Sequence, residues 1–299
     1  MKPLATISLA SLVVLMGHAL ADDSPSQDSA HQHKPTIFVC GDSTAKNSGV
    51  GKNGNPVAGW GTSIAAYFDP AKVTVSNVAH AGRSSRTYYD GDWPSVLPQI
   101  NAGDYVLLVF GINDGTTLGG TGDETRQRPS GQIQHSYGWY MAKMTTDAQA
   151  QGARVYLLTV TTRNIWTNPK VKFTDGTPLG ELPPDYDAKE DRIERGTGGG
   201  RFTQWTKEVG ARLHIPVFDL TNDCADVYER MGREEVNKLY SDHNHTYVPG
   251  ADVVASSIVS GLKGFKDSPF IPLLSERGLV VPVADAKYIS DDRQGEKQD

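Results

Sequence analysis

Thr36-Ile37-Phe38-Val39-Cys40-Gly41-Asp42-Ser43-Thr44 decides how this chain is read. Its first five residues are a short apolar, partly β-branched run closed by a glycine, which predicts a buried strand. The strand runs straight into Ser43, so that serine is expected at the mouth of a sheet. Working outward, Val73–Asn77, Tyr105–Phe110, Val155–Val160 and Val217–Asp219 have the same character. The near-continuous apolar content of Tyr105–Phe110 predicts burial on both faces. Helical patterns lie between the strands. Ile133, Tyr137, Tyr140, Met141 and Met144 recur at helical spacing, as do Val254, Ile258, Val259 and Leu262. This alternation predicts one α/β domain over residues 36–265, with a five-stranded, mostly parallel sheet.

The remaining composition narrows the function classes. Of 299 residues, 29 are Lys or Arg and 35 are Asp or Glu, a formal net charge of −6. With no basic cluster, the chain is a poor partner for nucleic acid or anionic lipid. No apolar run reaches the roughly 20 residues a bilayer span needs. Residues 1–21 carry Lys2, the apolar stretch Leu4–Met16 and Ala19-Leu20-Ala21, the pattern of a cleavable signal peptide. The residue after that cut is Asp22 rather than a cysteine, so a secreted or periplasmic protein without a lipid anchor is expected. Residues 22–35 read as a polar lead-in in which His31 and His33 are solvated. Residues 266–299 read as a C-terminal extension whose last dozen positions are disordered. Two cysteines are too few for a disulfide scaffold. Cys40 ends a central strand and Cys224 follows the fifth, so two free thiols are expected.

Two stretches interrupt the rhythm, Thr116–Ser130 and Asn164–Gly200, and both follow a predicted strand. In open α/β sheets the ligand crevice lies beyond the carboxyl ends of the strands. Four short blocks fall at such places. Gly41-Asp42-Ser43 offers a nucleophile; if a helix starts there, its dipole favours a developing alkoxide. Its ordinary reading is a helix-capping serine. Gly82, in Asn77-Val-Ala-His-Ala-Gly82-Arg83-Ser84-Ser85, offers a backbone N–H. Asn113, in Gly111-Ile112-Asn113-Asp114, offers a side-chain amide, although Asn-Asp after a strand is also a routine turn. In Asp242-His243-Asn244-His245, aspartate and histidine three apart meet if the turn is tight. His243 is the rival base, but adjacent side chains usually diverge.

Taken in order, these blocks resemble the SGNH, or GDSL, hydrolase superfamily: Gly41-Asp42-Ser43, then Gly82, then Gly111-x-Asn113-Asp114, then Asp242-x-x-His245. The resemblance spans roughly Thr36 to Gly264 and implies a flavodoxin-like, three-layer α/β/α domain. Gly59-Trp60-Gly61, Asn77–Ser85 and Thr159-Val160-Thr161-Thr162-Arg163 look narrower still, like the rhamnogalacturonan acetylesterases of carbohydrate esterase family 12. Ile112 stands where that branch usually carries His, and the role of Asn113 is expected to survive the change.

The resemblance implies a Ser43–His245–Asp242 triad and an oxyanion hole built from Ser43, Gly82 and Asn113. No metal or cofactor is implied. The substrate would be an acetylated polysaccharide, most simply rhamnogalacturonan, attacked by a monomer. Arg83, Arg86 and Arg163 suit a galacturonate carboxylate, and Trp60 suits a sugar face or the core. The rivals are an acetylxylan esterase, a short-chain carboxylesterase or lipase of the same superfamily, and a non-catalytic polysaccharide-binding protein.

Overall fold

Six strands form the central sheet: Thr36–Cys40 (β1), Thr74–Asn77 (β2), Tyr105–Leu108 (β3), Arg154–Leu158 (β4), Val217–Phe218 (β5) and Ile289–Ser290 (β6). Their order across the sheet is β6-β5-β4-β3-β1-β2. Every neighbouring pair is parallel except β5 with β6. The structure is a computed structural model and describes residues 34–291. The expected signal segment, most of the lead-in, His31, His33 and positions 292–299 lie outside the described residues.

The sixth strand corrects the expected five. Ile289–Ser290 carries one apolar residue and no run that would mark a strand, yet it pairs antiparallel with β5. Asp219 N–H adds a bond to the Tyr288 carbonyl at 2.8 Å. The first residues of the stretch expected to be disordered are therefore tied into the sheet.

Strand alternation sorts the core into two layers. Ile37, Val39, Leu107, Leu158 and Phe218 face one side. There they meet Leu220–Met231 (α5) through Leu220 and Tyr228, and Val248–Gly264 (α6) through Val254, Ile258 and Leu262. Phe38, Cys40, Val106, Leu108 and Leu157 face the other side. Tyr88 of Ser85–Gly91 (α2), Met141 and Met144 of Tyr137–Ala150 (α3), and Val209 of Arg201–Leu213 (α4) cover them. Each fully buried Leu, Ile or Phe contributes about 1.5–3 kcal/mol. Cys40 and Cys224 belong to opposite layers with the sheet between them, and both are free and buried.

Helix ends follow local chemistry. Ser136 Oγ accepts the Trp139 N–H at 3.1 Å and opens α3 there. Ile133, which fits the helical spacing, instead lies in a hairpin of Thr125–Gln127 with Ile133–His135. Ser84 and Thr87 exchange backbone and side-chain bonds at the start of α2. The stretch 164–200 is also built rather than loose. Its pairs Trp166–Thr167 with Arg192–Ile193 and Phe173–Thr174 with Thr177–Pro178 are anchored by Arg233. That guanidinium donates to Asp191 Oδ2 at 3.0 Å and the Gly176 carbonyl at 2.7 Å, and lies over the Phe173 ring.

Candidate active site

The nucleophile segment is fixed by its own aspartate. Asp42 Oδ1 accepts the Thr44 N–H and the Thr44 hydroxyl, each at 2.8 Å. This caps Ser43–Lys46 (α1), a helix of 4 residues that Ser43 opens. So short a helix contributes little dipole at Ser43. Ser43 is 8% exposed.

The aspartate–histidine turn forms as its spacing predicts. Asp242 Oδ1 accepts the N–H groups of Asn244 and His245 at 2.7 and 2.8 Å, which closes the turn. Its other oxygen, Oδ2, lies 2.8 Å from His245 Nδ1. With a proton on Nδ1 donated to that carboxylate, Nε2 is left to accept from Ser43 Oγ, which stands 2.9 Å away. A hairpin of Ser48–Val50 with Pro56–Ala58 braces the turn: Thr246 Oγ1 donates to the Ala58 carbonyl at 2.8 Å, and Ala58 N–H returns a bond to the Thr246 carbonyl. Burial pushes the Asp242 carboxyl up, but the bonds from the His245 ring and the two backbone N–H groups outweigh it and hold the group below its usual range. His243, the rival base, is committed elsewhere, its Nδ1 3.0 Å from Asp175 Oδ1.

Gly82 and Asn113 reach the same rim by two backbone links. His80 N–H donates to the Gly41 carbonyl at 3.0 Å, which lays the Gly82 turn against the nucleophile segment. Gly82 has φ +76°, a left-handed conformation that side chains resist. Asn113 Nδ2 donates to the Arg83 carbonyl at 3.0 Å, so the amide is held beside the Gly82 turn. Behind it, Asp114 is fully buried and accepts from Ser85 N–H, Ser85 Oγ and Thr117 Oγ1. These bonds tie the third block to the first turn of α2. Burial raises the Asp42 carboxyl to about 6 against the pull of its Thr44 bonds, and burial raises Asp114 as well.

The four expected substrate contacts divide. Trp60 is 1% exposed and packs in the same layer as α6, so it is core and not a sugar platform. Arg163 is spent on a two-pronged pair with Glu194, both contacts at 2.7 Å, which leaves it a structural tie. Arg86 is 14% exposed and its Nη1 faces Asp90 at 3.5 Å. Arg83 engages Asp92 through Nε alone and remains 35% exposed. Sequence reasoning missed Asp92 and Asp175, because neither has a motif; each is defined by a partner brought near only by folding.

Residues 39–252 match the GDSL-like lipase/acylhydrolase family, and the chain belongs to it. It is a hydrolase of carboxylic esters. Within that family it is rhamnogalacturonan acetylesterase-like. It is 27% identical over 241 residues to a rhamnogalacturonan acetylesterase of Emericella nidulans, covering 76% of this chain and 84% of that protein. It is 26% identical over 245 residues to the rhamnogalacturonan acetylesterase RhgT of Bacillus subtilis, covering 76% and 89%. The crystal structure of the Bacillus subtilis protein YxiM shares the fold, with TM-score 0.56 at 24% identity over 77% of this chain. The chain spans 56% of that protein's length.

Proposed function

We propose that this protein is an exported serine esterase that removes O-acetyl groups from an acetylated pectic polysaccharide, rhamnogalacturonan first. The observation that carries the reading is the unbroken relay from Ser43 Oγ through His245 to Asp242, with contacts of 2.9 and 2.8 Å. Ser43 Oγ attacks the acetyl carbonyl while His245 Nε2 takes its proton. Asp242, held ionised, orients the ring and stabilises the imidazolium. The Ser43 and Gly82 N–H groups and the Asn113 amide receive the oxyanion, each such donor being worth about 2.7–4 kcal/mol of barrier. His245 then returns the proton to the departing sugar oxygen. Water, activated by the same ring, releases acetate from Ser43.

The polysaccharide is suggested by the two acetylesterase relatives and by Arg83, whose terminal nitrogens can receive a uronate carboxylate. Arg86 is a second candidate contact. We read the enzyme as a monomer exported through residues 1–21. Among the described residues, no helix is long and apolar enough to cross a membrane.

The test is acetate release from acetylated rhamnogalacturonan and from acetylated xylan by wild type and Ser43→Ala. Rhamnogalacturonan is expected to be the faster substrate, and Ser43→Ala inactive on both. Faster xylan deacetylation would reassign the substrate, and an active Ser43→Ala would overturn the mechanism. Fractionating a producing culture and sequencing the protein's N-terminus tests export, which predicts a start at Asp22.

A further inference from the structure

Gly82 sits in a tight turn from His80 to Arg83, closed by Arg83 N–H donating to the His80 carbonyl at 3.3 Å. The side chains at the two ends of this turn converge on one carboxylate. His80 Nδ1 lies 2.6 Å from Asp92 Oδ1, and Arg83 Nε donates to Asp92 Oδ2 at 2.5 Å. Asp92 itself stands at a rigid junction. It ends α2, with its N–H donating to the Tyr88 carbonyl at 2.8 Å, and its carbonyl accepts from Ser95 and Val96 at the next helical turn. Beside it Trp93 is buried, with Nε1 donating to Asp147.

We propose that Asp92 is a positioning residue for the oxyanion turn. Its two oxygens grip His80 and Arg83 and so fix the direction in which the Gly82 N–H points. The Arg83 carbonyl, held by the same grip, is the acceptor that orients the Asn113 amide. One carboxylate outside the crevice thus sets two of the three donors. The turn carries a left-handed glycine at its apex, and the Asp92 carboxylate bonds the side chains at both of its ends. The geometry matters because oxyanion donors act only when already aimed at the place where charge develops. This inference rests on the proposed roles of Gly82 and Asn113.

The experiment measures kcat and KM on p-nitrophenyl acetate for wild type, Asp92→Asn, His80→Ala, the double variant and Ser43→Ala, with unfolding midpoints alongside. Asp92→Asn is expected to lower kcat about tenfold or more, short of the 10²–10³ that follows outright loss of a donor. KM should stay within about twofold, since only transition-state contacts are lost. His80→Ala should lower kcat in the same direction with an unchanged midpoint, because its side chain is 51% exposed. That variant keeps the idea testable if Asp92→Asn folds poorly. The double variant should fall little below Asp92→Asn, because both changes break one device. Wild-type kcat in His80→Ala and Asp92→Asn, or a rise in KM at constant kcat, would overturn the proposal. An active Ser43→Ala would overturn the underlying site assignment and the anchor with it, and is told apart by that variant alone.

Discussion

His245 Nε2 stands 2.9 Å from Ser43 Oγ, across 202 positions of chain. Two elements bring them together: the carboxyl end of β1, which delivers the serine, and the Asp242 turn ahead of α6, which delivers the ring. Asp242 contributes three bonds to that turn, two to backbone and one to the imidazole.

Asp242→Asn tests the last of these. The amide oxygen can keep the backbone bonds, but the group no longer stabilises a charged ring or enforces its tautomer. The expected fall in kcat is on the order of 10⁴, with the fold intact by circular dichroism. A loss below about tenfold would remove Asp242 from the relay.

Asp42 predicts a pH dependence of stability. Its folded value, about 6, lies above the ordinary 3.8, so the folded protein holds a proton that the unfolded chain releases. The group's contribution is therefore complete below about pH 4, declines as pH rises to about 6, and stays reduced above. Asn at this position can still accept both Thr44 bonds and does not titrate. Denaturant unfolding should show the stability of Asp42→Asn relative to wild type rising by up to about 3 kcal/mol between pH 4 and pH 8. A difference that stays flat across this range would contradict the buried, raised carboxyl.

Trp60 and Arg83 should respond oppositely. Trp60→Ala removes a fully buried indole and is expected to cost about 3–5 kcal/mol of stability, with little change in KM for whatever protein remains folded. Arg83→Ala should instead raise KM on a uronate-bearing substrate more than on p-nitrophenyl acetate. Equal KM effects on both substrates would remove Arg83 as a carboxylate contact.

The cysteines give a direct chemical check. Burial pushes the Cys40 thiol to about 12 and raises Cys224 as well, so neither forms thiolate near neutrality. A thiol reagent should find none in the native protein and both after unreduced denaturation. A denatured count of zero would require the disulfide that the intervening sheet forbids.

The parallel strands and the Asp242–His245 contact were legible because each is local. An apolar run marks a strand, and a three-residue spacing is enough for Asp242 to meet His245. What escaped depends on distant partners. Ile289–Ser290 is a strand only because β5 lies beside it. Arg163 looked free because Glu194 is 31 positions away. Trp60 was ambiguous because an indole suits a core and a sugar face equally, and only burial decides. Ile133 kept helical spacing by coincidence, while Ser136 set the true start of α3.

The backward-running strand at the sheet's margin has a consequence for how the molecule keeps to itself. Val217–Phe218 is short and apolar, and without Ile289–Ser290 beside it its amides and carbonyls would form an unhemmed border open to another molecule's strand. The closing stretch of the chain acts as a selvedge, and the far border, Thr74–Asn77, is guarded by polar residues instead. Shortening the protein to end before Ala286 should leave the triad in place yet make the enzyme self-associate, which light scattering would register as growth in particle size.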